Sequence, residues 1–188
     1  GWFTVGYGTG GDVTGTVNQN GGYLAIRGNS QGIGLRLARS RNNNTAKGIY
    51  NLNGGTLSAA RNVYIGYVTG EDQGTARGQM NIMGGRFDGT GNMSINISAR
   101  RNNDSTTSGT FYVKGSNPDR INVGDGSSAE GKGNWYQHKG GTLKLGIDDD
   151  GITPIGVRND VVFADGARLD VGFIDDSKRI GSWDAMPW

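Results

Sequence analysis

One histidine and no cysteine leave this chain few routes to covalent or metal chemistry. His138 stands alone. A Ser-His-Asp triad would have to use it. A histidine cage for zinc cannot be built from one imidazole, and thiolate chemistry needs a cysteine. Carboxylates remain. Asp148 and Asp150, in the run Asp148-Asp149-Asp150-Gly151, could offer hard oxygens to Ca²⁺. The run lacks the alternate spacing and closing glutamate of a calcium loop, so a solvated turn is the favoured reading. Glycoside hydrolysis uses two carboxylates about 5–9 Å apart. Asp88 has no second acid at a predictable neighbouring position, which leaves loop acids such as Glu71-Asp72. The expectation is a protein with no catalytic residues, no bound metal and no cofactor.

Binding chemistry has more to work with. Arg36, Arg39, Arg41, Arg61, Arg86, Arg100 and Arg101 recur along the chain. Of these, Arg36, Arg86, Arg100 and Arg101 are the candidates for a basic face toward an acidic polysaccharide. The plainer reading, favoured here, is solvated edge charge that discourages sideways aggregation. The net charge of +2 gives no footprint for nucleic acid. No apolar run approaches the roughly 20 residues of a membrane helix, so no membrane insertion is expected.

The elements that position these residues come from a repeat. Gly48-Ile49-Tyr50-Asn51-Leu52-Asn53-Gly54-Gly55-Thr56-Leu57 is echoed at 15–24 and 78–87, in a fourth copy at 135–143 and in a worn one at 109–116. The corner glycines fall at 21, 54, 84, 115 and 140, in steps of 33, 30, 31 and 25 residues. Such a period marks a stacked architecture. Aligned on the corner, Val17, Tyr50, Met80, Phe111 and Tyr136 share one column. Gln19, Leu52, Ile82, Val113 and His138 share another, and both should point inward. Between them stand Asn18, Asn51 and Asn81, then Tyr112 and Gln137, which should point outward. The three asparagines could form a stacked amide ladder.

Each repeat reads as three short strands. The first precedes the corner. The second covers 23–26, 56–59, 86–89 and 142–145, and the third covers 34–38, 63–67, 93–97 and 121–123. Alternation over four to six residues fits strands, and glycines interrupt every candidate helix. Three strands and three corners use roughly 25–33 residues at ~3.3 Å per residue, whereas a propeller blade needs about 40–45. The expected fold is all-β: a three-sided parallel β-helix, right-handed, of about five coils. Coils should fill 1–147. A degenerate last coil and an aromatic C-terminal segment should fill 148–188, with two strands about a turn within 161–173. Trp2-Phe3-Thr4-Val5-Gly6-Tyr7-Gly8-Thr9-Gly10 matches Asn62-Val63-Tyr64-Ile65-Gly66-Tyr67-Val68-Thr69-Gly70 at the two inward apolar positions, at Gly-Tyr and at Thr-Gly, so the chain is expected to open partway through a repeat.

The phrase YNLNGGTL, the later NVYIG and the FADGARLDVGF near the end resemble the repeats of large exported bacterial proteins. These are the autotransporter-type β-strand repeat and PEP-CTERM-associated proteins. The resemblance covers roughly Thr16 to Phe173. It implies a passenger solenoid at the cell surface or outside the cell, used for display, adhesion or matrix. The expected function is therefore a non-enzymatic extracellular structural protein: a spacer, adhesin passenger or fibre subunit. Expected partners are copies of itself stacked head to tail, or neighbouring coils of a longer chain. Trp2, Phe3, Trp183 and Trp188 are the contact residues for such stacking. The alternative is a β-helix that binds or cleaves polysaccharide.

Overall fold

The file through Tyr50 sets the architecture. In the computed structural model Val17 lies beside Tyr50, Tyr50 beside Met80, and Met80 beside Phe111, each one parallel strand further on. Tyr50, Met80 and Phe111 are fully buried. The structure describes residues 2–28, 32–68, 74–91, 93–100, 106–116, 121–125 and 133–174. Among them every regular element is a strand. In chain order these are β1 (Phe3–Gly8), β2 (Val13–Ile26), β3 (Ile33–Ser40), β4 (Thr45–Ala59), β5 (Asn62–Val68), β6 (Thr75–Ile82), β7 (Arg86–Gly89) and β8 (Ile95–Arg100). There follow β9 (Thr106–Val113), β10 (Ile121–Val123), β11 (Trp135–Gln137), β12 (Gly141–Ile147), β13 (Ile155–Val157), β14 (Val161–Phe163) and β15 (Arg168–Phe173).

Three faces enclose the core. β4 is long because it crosses two of them: residues 45–52 pair with β6, and residues 56–59 pair with β7. The Gly54-Gly55 corner lies between, with Gly55 at φ 76°. A side chain there would be strained, which is why glycine marks the bend. The first face stacks β2, β4, β6, β9, β12 and β15. The second stacks the far ends of β2 and β4 with β7, β10 and β13. The third stacks β1, β3, β5, β8, β11 and β14. Every one of these pairings is parallel, and the fold is a three-sided parallel β-helix. About four turns are regular, fewer than the about five coils expected. The last coil is the frayed one: β13 and β14 have three residues each, and Val161, Val162 and Phe163 stay exposed.

Three strand assignments are corrected. Residues 142–145, expected as a second strand, lie in β12 on the first face. The copy at Trp135 is not a first strand. β11 lies on the third face between β8 and β14, so Trp135 and Gln137 point inward and Tyr136 outward. The residue that follows Phe111 in its file is Leu143. Gly140-Gly141 closes a tight turn into the first face, where the Gly141 amide donates to the His138 carbonyl at 2.8 Å. Residues 121–123 likewise belong to the second face, where Asn122 pairs with Asp88 and β10 pairs with β13. The error arose in the long connections on either side of β10, which displaced the glycine count. Beyond 147 the stack continues, and β14 and β15 are the two strands about a turn.

Inside, the coil has a waist. Glycine recurs in register on the first face at Gly15, Gly48, Gly78, Gly109 and Gly141. Opposite it on the third face, Gly6, Ala38, Gly66 and Ser98 stack in one file, all with positive φ of 60–73°. A Cβ on Gly15 would lie 2.6 Å from the Gly6 amide nitrogen, and one on Gly109 would lie 2.9 Å from that of Ser98. Gly48 meets Ala38, and Gly78 meets Gly66, more closely still. Backbone therefore packs on backbone. The contact divides the interior into a main core, which runs from Val5 to Leu143, and a small one of Ala38, Ala46, Val68 and Ala76.

Candidate functional site

The outer surface of the first face carries the most ordered polar array. Alternation turns Asn18, Asn51 and Asn81 outward in register. Asn51 Nδ2 donates to Asn18 Oδ1 at 2.7 Å, and Asn81 Nδ2 donates to Asn51 Oδ1 at 2.6 Å. Gln79 Nε2 braces the end of the ladder through Asn81 Oδ1 at 3.0 Å. A second, shorter ladder joins Asn53 Nδ2 to Asn20 Oδ1 at 2.8 Å. The expected amide ladder is thus present. Its file does not stop at Asn81. The same register continues through Tyr112, Lys144 and Asp170. Lys144 Nζ stands 5.4 Å from the Tyr112 ring centroid, and Arg168 Nη2 lies 3.6 Å from Asp170 Oδ1.

A parallel file four residues back holds Thr14, Lys47, Arg77 and Ser108. Lys47 and Arg77 are exposed neighbours in register. Between the two files run Thr16, Ile49, Gln79, Thr110, Thr142 and Arg168. The face therefore carries amides, hydroxyls and cations, with one aromatic ring, Tyr112, one carboxylate, Asp170, and the apolar Ile49 among its described strand positions. No protein-family model, curated protein or solved structure matches the chain. What this surface does must be argued from its own chemistry.

The arginine candidates are scattered, not gathered. Arg36 is on the outer side of β3 yet only 2% exposed, with its guanidinium 4.5 Å from the Trp2 ring centroid. It is therefore corrected from an open binding residue to a packed one. The cause is the bend in the third face: side chains flanking the positive-φ residue converge, as Tyr64 and Tyr67 do across Gly66 with ring centroids 4.4 Å apart. Arg39 similarly stands 4.9 Å from the Tyr7 ring. Arg86 is on the second face, exposed and 3.5 Å from Asp88. Arg100 ends β8, and Arg101 lies outside the described residues.

The remaining candidates fall as follows. Trp2 and Phe3 are exposed at the N-terminal edge, and Trp183 and Trp188 lie outside the described residues. Asp148 folds a turn. Its Oδ2 accepts from the Ser116 amide at 2.8 Å and its Oδ1 from the Asp150 amide at 3.0 Å. Those bonds, led by Ser116, hold its carboxyl below the usual range. Among the described residues no three acids or histidines gather as a metal-holding group. His138 follows β11 and is half-buried, its ring 6.5 Å from that of Tyr136, and burial lowers its pKa. Gly28-Asn29-Ser30-Gln31-Gly32 spells the Gly-x-Ser-x-Gly pattern of a nucleophile elbow. That elbow needs a strand followed by a helix. This segment joins strands β2 and β3, and residues 29–31 lie outside those described.

Proposed function

We propose that the protein is a structural β-solenoid of the cell exterior, a spacer or fibre unit whose stack is continued by further coils from a second copy. The observation that carries this reading is the state of the last strand of the third face. Ile97 is fully buried and lies one rung from Gln137, which pairs with Phe163. Phe163 points into the same interior file but remains 49% exposed. Nothing among the described residues continues the file past it. A cavity of about 490 Å³, lined by Phe163, Ala164, Ala167 and Leu169 among others, opens at this end. At the other end Phe3 and Tyr7 on β1, and Trp2 just before it, are exposed.

An end strand with a free edge is a template for another parallel strand. Here the two ends match. Among the described residues β14 is the last strand of the third face and β1 the first, while β15 is the last of the first face and β2 the first. A copy advanced by six rungs would place its β1 on β14 and its β2 on β15. Repetition of one contact in this way is head-to-tail and does not close. The resemblance of the repeat to exported passenger solenoids supports a place outside the cell.

The test is sedimentation across a concentration series, with electron microscopy of the same samples. Rods that lengthen with concentration are expected, and Phe163→Asp should shorten them by burying a charge at each junction. A single monomeric species at millimolar concentration would overturn the reading.

A further inference from the structure

The first face concentrates positive charge that the composition hides. Among the described residues the outward positions of its strands hold Lys47, Arg77, Lys144 and Arg168 against a single carboxylate, Asp170; just outside the strands stand Lys114 after β9, Asp12 before β2 and Asp148 after β12. These strand positions carry four cations and one carboxylate, a net +3, against +2 for the whole chain. The centre of this face is therefore basic, with its carboxylates at the margins.

Two details mark the arrangement as more than solvated edge charge. Lys47 and Arg77 are directly opposite each other, and like charges so placed destabilise a sheet. Their flanking neighbours in the file, Thr14 and Ser108, offer no counter-charge. The fold bears that repulsion where a threonine would remove it. Secondly, the cations frame an array suited to hydroxyls: Asn51, Gln79, Thr110 and Thr142 are partly exposed amides and hydroxyls, and half-buried Tyr112 presents a ring. An aromatic face packs against the C–H face of a sugar, while amides hydrogen-bond its hydroxyls.

We infer that the outer surface of the first face binds an acidic polysaccharide, lying across the Asn81–Tyr112–Lys144 file with its carboxylates or sulfates toward Lys47, Arg77, Lys144 and Arg168. This site differs from the scattered arginines and does not depend on whether coils stack end to end. A single-stranded nucleic acid would want several stacking rings, and the described first face has one. An anionic membrane would want protruding apolar side chains, and Ile49 is half-buried.

The experiment is equilibrium binding of the full chain to polygalacturonate and dextran sulfate, beside neutral dextran, oligo(dT) and phosphatidylglycerol vesicles. Binding to both acidic polysaccharides is expected, weakening steeply with salt, with none to neutral dextran. Lys47→Thr/Arg77→Thr should weaken it about tenfold, at about 1.4 kcal/mol per factor of ten. Tyr112→Ala should weaken it several-fold. Lys139→Ser/Arg158→Ser removes the same charge from elsewhere and should leave it unchanged; circular dichroism checks that all variants fold. No binding, an equal loss in both double variants, or tighter binding to oligo(dT) or vesicles would each overturn the inference.

Discussion

Gly78 on the first face lies against the backbone of Gly66 on the third, with no room for a methyl group between them. The contact is one rung of a file in which Gly15, Gly48 and Gly109 meet Gly6, Ala38 and Ser98 in the same way. Gly78→Ala must push two strands apart across the waist. Overpacking of this kind costs about 1–3 kcal/mol, and a backbone clash belongs at the upper end. Gly172, on β15, has open space around its Cβ position and serves as the control. Urea denaturation should show Gly78→Ala destabilised by about 3 kcal/mol and Gly172→Ala nearly unchanged. Equal effects in the two would show that the waist does not bear on stability.

Phe111 sits between two aromatic neighbours. Its ring lies 6.2 Å from Phe87 and 5.1 Å from Trp135, both edge-on. The three come from different faces, so this chain of rings ties first, second and third face together at one level. Phe111→Ala should cost about 3–5 kcal/mol, as expected for a large buried ring. Phe111→Leu should cost much less, since the volume is largely kept. Thermal denaturation would check this; a loss below 1 kcal/mol for the alanine variant would mean that the core collapses freely at this level.

The Tyr50, Met80 and Phe111 file could be read from sequence because a glycine pair or a single glycine marks the same corner in each coil. The amide ladder could be read because strand alternation fixes what lies between two inward columns. The waist could not. The glycines at 15, 48, 78 and 109 are visible, but a glycine required by close backbone approach looks like any other. Its partner file is disguised too: Gly6 and Gly66 suggest a bend, while Ala38 and Ser98 adopt positive φ without being glycine. Ser98 is held there by hydrogen bonds: its Oγ lies within reach of the Thr107 and Lys139 carbonyls, at 2.9 and 2.8 Å, and donates to one of them, while its own carbonyl accepts from Thr107 Oγ1 at 3.1 Å. Missing the bend meant missing that Arg36 would be covered. The basic first face was missed for another reason. Its cations come from Lys47, Arg77, Lys144 and Arg168, which gather only once the register past Phe111 is known.

Asn51 is the middle rung of the ladder, donating to Asn18 and accepting from Asn81. Asn51→Ala removes both bonds, whereas Asn18→Ala removes one. A typical side-chain hydrogen bond contributes about 0.5–1.5 kcal/mol net. Asn51→Ala should therefore cost about 2 kcal/mol and Asn18→Ala about half that. Asn51→Asp keeps the acceptor for Asn81 and loses the donor toward Asn18, so it should fall between them. Chemical denaturation of the three variants gives the order. Were Asn18→Ala the most damaging, the ladder would not be the source of the stability.

His138 makes stability depend on pH in a narrow window. Burial lowers its pKa from the ordinary value of 6.5 in the folded protein. Between that lowered value and about 6.5, an unfolded chain binds the proton that the folded chain refuses. Stability is therefore full above about pH 6.5, falls as pH drops through the window, and levels off once the folded imidazole is also protonated. Asp148 does not blur this, since the bond from the Ser116 amide holds its carboxyl below the usual range. Tyr50 stays neutral throughout, because burial pushes its hydroxyl up to about 12. His138→Gln keeps a polar side chain of similar length without the titration. Urea midpoints measured from pH 7.5 to 5 should decline for the parent protein and stay flat for the variant. Parallel slopes in the two would show that the imidazole next to Tyr136 is as open to water folded as unfolded.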